Sequence, residues 1–183
     1  VGNLNDMTFP ENFDYVVVNG VLEYAMSFTE GKTPYETFLK EMGEYLKPEG
    51  KLLIAIENRL GLKYFAGAPE DHTDIHFFGI DGYPENHSVR TFSKEELGEL
   101  LKNSGFPFLH FYYPYPDYKF PMTIYSDKRL PKKGELRDNF CNFDRNRIQL
   151  FNEGKVYDSL TDAGLFQEFS NSFLVIVERK ENK

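Results

Sequence analysis

FDYVVVNGVLEYAMSFTEGKTPYETFLKEMGEYLKPEGKLLIAIE, residues 13 to 57, decides the fold class. Its first seven residues, Phe13 to Asn19, are a β-branched run entered by an Asn-Phe-Asp turn and ended by Gly20, which is the pattern of a buried strand in a parallel sheet. A helix is expected next: Thr33 at the N-cap, Pro34 at the first helical position, Glu36 closing a capping box, and Pro48 with Gly50 as the stop. Tyr35, Phe38, Leu39, Met42, Tyr45 and Leu46 share one stripe at helical spacing. Lys51 to Ile56 is a second apolar strand, so the segment reads as strand, crossover helix, parallel strand.

Working outward, Ser93 and Glu96 form another capping box, with Phe92 placed to staple onto Leu97 and Gly105 as the stop. A strand near Phe108 to Tyr113 follows, and Ser172 to Glu178 is a final strand whose apolar content places it centrally in the sheet. Residues 58–92 form a loop-rich insertion. Residues 114–168 form a long excursion rich in Pro, Gly, Asn and charge, with short periodic pieces around Ile148 and Leu165. Such excursions are usually functional or ordered by a partner. No repeat and no internal domain boundary is visible, so residues 1–183 read as one partial α/β domain.

Composition narrows the function classes. The chain has 183 residues and a net charge of -8, from 21 Lys and Arg against 29 Asp and Glu. That sign argues against nucleic acid or anionic lipid as partner. The longest apolar runs, LLIAI and FLVIV, are too short to cross a bilayer, so the chain reads as soluble. One cysteine, Cys141, forbids an internal disulfide and points to a reducing compartment, the cytoplasm. The chain begins at Val1 rather than Met, and is read as cut from something longer.

An open parallel sheet takes ligands beyond the carboxyl ends of its strands. Gly2 to Asp6, Asn19 to Tyr24 and Glu57 to Phe65 lie there. FDYVVVNGVLEYA and LKPEGKLLIAIEN resemble the downstream half of a class I methyltransferase that uses S-adenosylmethionine (SAM), over roughly residues 1 to 60. The later helix and closing strands fit the same family. The resemblance implies a Rossmann-like methyltransferase fold, C-terminal half: a mixed sheet of parallel strands plus a closing antiparallel strand, with helices on the faces. It implies SAM as cofactor, contacted by Asn3, Leu4, Asn19, Gly20, Val21 and Leu22, with Asn3 where the family has an acid for the adenine amino group. The family's glycine-rich cofactor loop has no counterpart in this chain.

Within the insertion, NR.GLKYFAGA, EDHT and GY are similar to an insert of methyltransferases found beside or fused to bacterial glycosyltransferases in polysaccharide biosynthesis. That narrower likeness implies a glycan or small-molecule acceptor and a glycosyltransferase as partner or fused domain. A sugar hydroxyl needs a general base. His72 beside Asp71 is the expected catalytic pair, with Asn58, Arg59, Tyr83 and Arg90 at the acceptor and Lys63 available to an anionic group. Each also has a bland reading. Asn19-Gly20 also reads as the turn that ends a strand, Glu23 and Tyr24 as capping and packing residues, and the arginines as loop anchors. No metal is expected: His72 and His76 alone have a ligand-like spacing, and they sit in a loop. Two rivals stay open, a non-catalytic methyltransferase-like binding module and half of a nicotinamide-dependent oxidoreductase. The strand at residues 15 to 18 is expected to present an unpaired edge, and with it a dimer or another partner chain.

Overall fold

In the computed structural model, residues 7, 9, 11–84, 87–137 and 146–178 are described. A five-stranded mixed sheet organises them, in the order β1-β2-β5-β3-β4. β1 (Phe13–Asn19) lies parallel to β2 (Leu46–Glu57). β5 (Ser172–Glu178) is inserted antiparallel between β2 and β3 (Phe108–Tyr115), and the short β4 (Thr123–Ser126) pairs antiparallel with β3. The mixed α/β class, the parallel crossover, the closing antiparallel strands and the central place of the last strand are therefore those expected.

Between β1 and β2 the chain forms a 3-10 turn, Leu22–Tyr24, then α1 (Ala25–Phe28) and the crossover helix α2 (Pro34–Glu44). Thr33 precedes α2 but its side chain makes no capping bond, so the anticipated capping box is not formed there. With ψ at 63° Thr33 lies outside the extended backbone that usually turns an N-cap oxygen onto the first turn. α2 also ends before Pro48, and Leu46 to Gly50 already belong to β2.

After β2 come α3 (Leu62–Phe65) and α4 (Lys94–Asn103). At α4 the box is complete: Glu96 N donates to Ser93 Oγ at 3.3 Å, and Ser93 N donates to Glu96 Oε2 at 2.8 Å. The excursion holds more structure than its composition suggested, namely β4, α5 (Glu153–Asp162) and α6 (Phe166–Phe169). Asn152 caps α5 by accepting from Lys155 N at 3.0 Å.

One core serves all of these elements. Val18, Ile54, Val175 and Phe111 are in register across four strands and buried, and Phe38, Leu39, Leu97, Leu101, Tyr157 and Phe166 join them from the helices. The opposite sheet face is different. Tyr15 and Val17 are 63% and 64% exposed, and Leu53, Leu174 and Ile176 are half-buried. Among the described residues the core-forming helices lie over one face of the sheet. Consecutive right-handed crossovers stepping in one direction place their helices on one side.

Candidate functional site

Beyond the carboxyl ends of β1 and β2, segments from distant parts of the chain converge. Glu57 is the last residue of β2 and is fully buried, at the end of an apolar run. The 3-10 turn after β1 brings in Glu23, which is equally buried. α3 contributes Lys63 and Tyr64, and the loop after it contributes Glu70, Asp71 and His72. Asp117, Tyr118 and Lys119 arrive from the chain after β3. Gly20 permits the close approach of that last segment: its φ is +64°, and a Cβ there would meet Tyr118 Oη at 2.9 Å.

Two polar networks result. In the first, Lys63 Nζ lies 2.7 Å from Asp71 Oδ2 and 3.0 Å from Asp117 Oδ2, and Tyr64 Oη donates to Asp71 Oδ2 at 2.5 Å. Burial opposes the Lys63 charge, but Asp117 and Asp71 outweigh it and hold the ammonium above its ordinary value. For Asp71 burial is again outweighed, here by Lys63 and Lys119, so the carboxyl stays well below the usual range. Asp71 therefore faces Lys63 and Tyr64 rather than His72, and the expected Asp71–His72 pair is not formed.

His72 belongs to the second network. Its Nδ1 lies 2.9 Å from Glu70 Oε1, and its Nε2 is 3.6 Å from Glu23 Oε1 and 4.0 Å from Glu57 Oε2. Glu70 Oε2 accepts from the backbone N–H groups of His72 and Thr73, both at 2.9 Å, so the loop that carries the histidine also fixes its partner. The edge of Tyr24 packs on the imidazole. Glu57 Oε1 takes Lys119 Nζ at 2.9 Å and Tyr118 Oη at 3.3 Å. Although burial disfavours the charge, Glu23, Glu70 and Glu57 push the His72 pKa up to about 10. As it stands the imidazole carries its proton at neutral pH and is no base for a sugar hydroxyl.

The other anticipated residues divide into anchors and surface groups. Asn58 is fully buried, and its amide is used up: Nδ2 donates to the carbonyls of Glu168 and Ser170 at 2.8 and 2.7 Å, and Oδ1 accepts from Leu60 N at 3.0 Å. It offers nothing to an acceptor. Arg59 Nε donates to Glu96 Oε2 at 2.6 Å and Nη1 to the Gly79 carbonyl, which ties the insertion to the start of α4. Arg90 reaches the same glutamate at 3.4 Å and stacks on Phe92. Tyr83 Oη bonds Thr91 Oγ1 at 2.9 Å and donates to Glu70 Oε1 at 3.2 Å, so of the four it touches the cluster. Asn19 and Val21 are exposed at the end of β1, whereas Leu22 is a core residue. Asn3 and Leu4 lie outside the described residues.

Glu57, Glu70, Asp117, Tyr118 and Lys119 were not singled out as site residues. A charged residue closing the apolar run Leu52 to Ile56, as Glu57 does, was the one local signal. The contribution of Asp117 to Lys119 depends on tertiary approach across 48 to 62 residues and has no local pattern.

No family model matches the chain, and no curated protein matches it. Among solved structures it is similar to a SAM-dependent methyltransferase of Thermotoga maritima described as a possible histamine N-methyltransferase, at 16% identity and TM-score 0.44, covering 94% of this chain and 60% of that one. It is also similar, at 16% identity and TM-score 0.46, to a chain of the structure described as the complex between the Haloferax volcanii Trm112 methyltransferase activator and the putative methyltransferase, covering 100% of this chain and 60% of that one. The chain thus spans about three-fifths of the length of each. At this identity and TM-score neither likeness carries weight about activity or partner. Among the described residues no helix is long and apolar enough to cross a membrane.

Proposed function

We propose that this chain is the acceptor-side part of a SAM-dependent methyltransferase, acting on a small-molecule or glycan acceptor. The observation that carries the reading is the order β1-β2-β5-β3, a parallel pair closed by an inserted antiparallel strand, together with NGVLEY at the open end of β1. That is the architecture implied by the sequence resemblance, and the buried polar cluster lies where such a sheet takes ligands. Asn19, Gly20 and Val21, with Asn3 and Leu4 upstream, would border the cofactor. Tyr83 and the loop of Asp71 and His72 would border the acceptor. Methyl transfer is an in-line displacement, so alignment of acceptor and donor supplies most of what is required. The resemblance of the insertion supports a glycan acceptor and a glycosyltransferase as neighbour or fused domain.

A second reading, a non-catalytic binding module, is favoured by one observation. The His72 imidazole, held charged among three glutamates, is a poor base. Nuclear magnetic resonance titration with S-adenosylhomocysteine distinguishes the cofactor reading from a fold without cofactor. Shifts of the Asn19, Gly20 and Val21 amides support it, and an unchanged spectrum in both this chain and the full-length protein that carries it would rule it out. Methyl transfer to a glycan in that full-length protein then separates enzyme from module.

A further inference from the structure

We propose that Glu23, Glu57 and His72 form a binding site for one divalent cation. One donor atom from each, a carboxylate oxygen or a ring nitrogen, lies within 4.8 Å of the other two. The 3.6 and 4.0 Å separations from His72 Nε2 to the two carboxylates are too long for hydrogen bonds. They are the separations of donors that share an ion, since ligands about 2.1 Å from one metal stand roughly 3 to 4.2 Å apart.

An independent observation points the same way. Glu23 Oε2 and Glu57 Oε2 are buried without a hydrogen-bond partner among the described residues, on side chains only 2% and 1% exposed. A carboxylate oxygen removed from water and left unpaired is costly, and a cation is what commonly offsets it. The surrounding charge agrees. Glu23, Glu57, Glu70, Asp71 and Asp117 carry five acidic groups against the two ammoniums of Lys63 and Lys119, a difference of three before His72 is counted.

The outer sphere is also built. Glu70 bonds Nδ1 at 2.9 Å, which turns Nε2 toward Glu23 Oε1 and the unpaired Glu57 Oε2, and Lys119 with Tyr118 fixes the far oxygen of Glu57. Metal-bound imidazoles regularly have such a carboxylate on the second nitrogen. One imidazole and two carboxylates suit Mn²⁺, Fe²⁺ or Zn²⁺ better than Ca²⁺. His76, the other half of the spacing noted in the sequence, is exposed and lies outside the trio. The carboxylates that complete the site come from 49 and 15 residues upstream of His72, which no short motif reports. The site rests on these distances and on the unpaired carboxylate oxygens, and stands whether or not the chain transfers methyl groups.

The test is Mn²⁺ titration of the chelator-treated chain, read by electron paramagnetic resonance and by the broadening of the Gly20 and Tyr24 signals. The expected result is one ion per chain with broadening centred there. His72→Ala should abolish it, Glu70→Gln should weaken it by roughly 10–100-fold as an outer-sphere change does, and His76→Ala should leave it intact, all with unchanged circular dichroism. No uptake by the wild-type chain at millimolar Mn²⁺ and Zn²⁺ would overturn the proposal and leave a protonated His72 as the cation among these glutamates. Uptake that survives His72→Ala unchanged would overturn it as well.

Discussion

At the scale of single residues, Asn58 shows how much a polar side chain contributes once it is enclosed. It holds the end of β2 to the chain entering β5 through two hydrogen bonds donated to carbonyls, and accepts a third, local one from Leu60 N. Asn58→Ala leaves those groups buried and unpaired, so urea denaturation should show a loss of about 2–5 kcal/mol with little change in slope. A loss below about 1 kcal/mol would mean that water takes over the bonds. Its neighbour Glu57 has the opposite character, with one oxygen engaged by Lys119 and Tyr118 and the other open toward His72. Adjacent positions at the end of one strand thus divide into an anchor and a group available for chemistry.

At the scale of elements, α2 and α4 show where local pattern is a sufficient guide. Both begin with a sequence that fits a capping box, yet only Ser93 and Glu96 form one. Ser93→Ala should therefore cost about 1 kcal/mol, whereas Thr33→Ala should cost a few tenths at most, and thermal melts of the two variants compare them directly. Glu96 also accepts from Arg59. Burial works against its charge, but the bonds from Arg59 and Ser93 prevail and lower its pKa below the ordinary 4.5. Its stabilisation is present above that value and is lost as pH falls through the lowered folded-state value. Melting temperatures followed downward from pH 5 should accordingly drop more steeply for the wild type than for Glu96→Gln. Parallel curves would contradict this.

The same elements show what was legible. β1, α2, the core of β2, α4 and the bounds of β5 follow from apolar periodicity and stop signals, because each buries a face set by its own sequence. α5 was missed because its buried positions, Glu153, Gly154, Tyr157 and Asp158, are mostly polar or small and make no apolar stripe. Topology pointed to the ends of β1 and β2, where the polar cluster lies, and Asp71, His72 and Tyr83 are in or beside that cluster. Their partners did not follow, since Glu70 rather than Asp71 holds the imidazole and Glu23 and Glu57 reach it only through the tertiary fold.

At the scale of the whole molecule, the sheet is helix-covered on one face and half-open on the other among the described residues. Val17, Leu53, Ala55 and Leu174 line a groove of about 190 Å³ on that second face, next to β1, which has no strand on its outer side among the described residues. Apolar sheet surface beside an unpaired edge favours association. Light scattering should show the chain's mass rising with concentration, and Val17→Lys should suppress the rise. A constant monomer mass at high concentration would count against it.

The most direct test of the methyltransferase reading is calorimetric titration of S-adenosylhomocysteine into this chain and into a version extended upstream. The account predicts saturable binding to the extended version, weaker or absent in this chain and lost from the extended version when Gly20→Val drives a side chain into Tyr118. Absence of binding to both would contradict it.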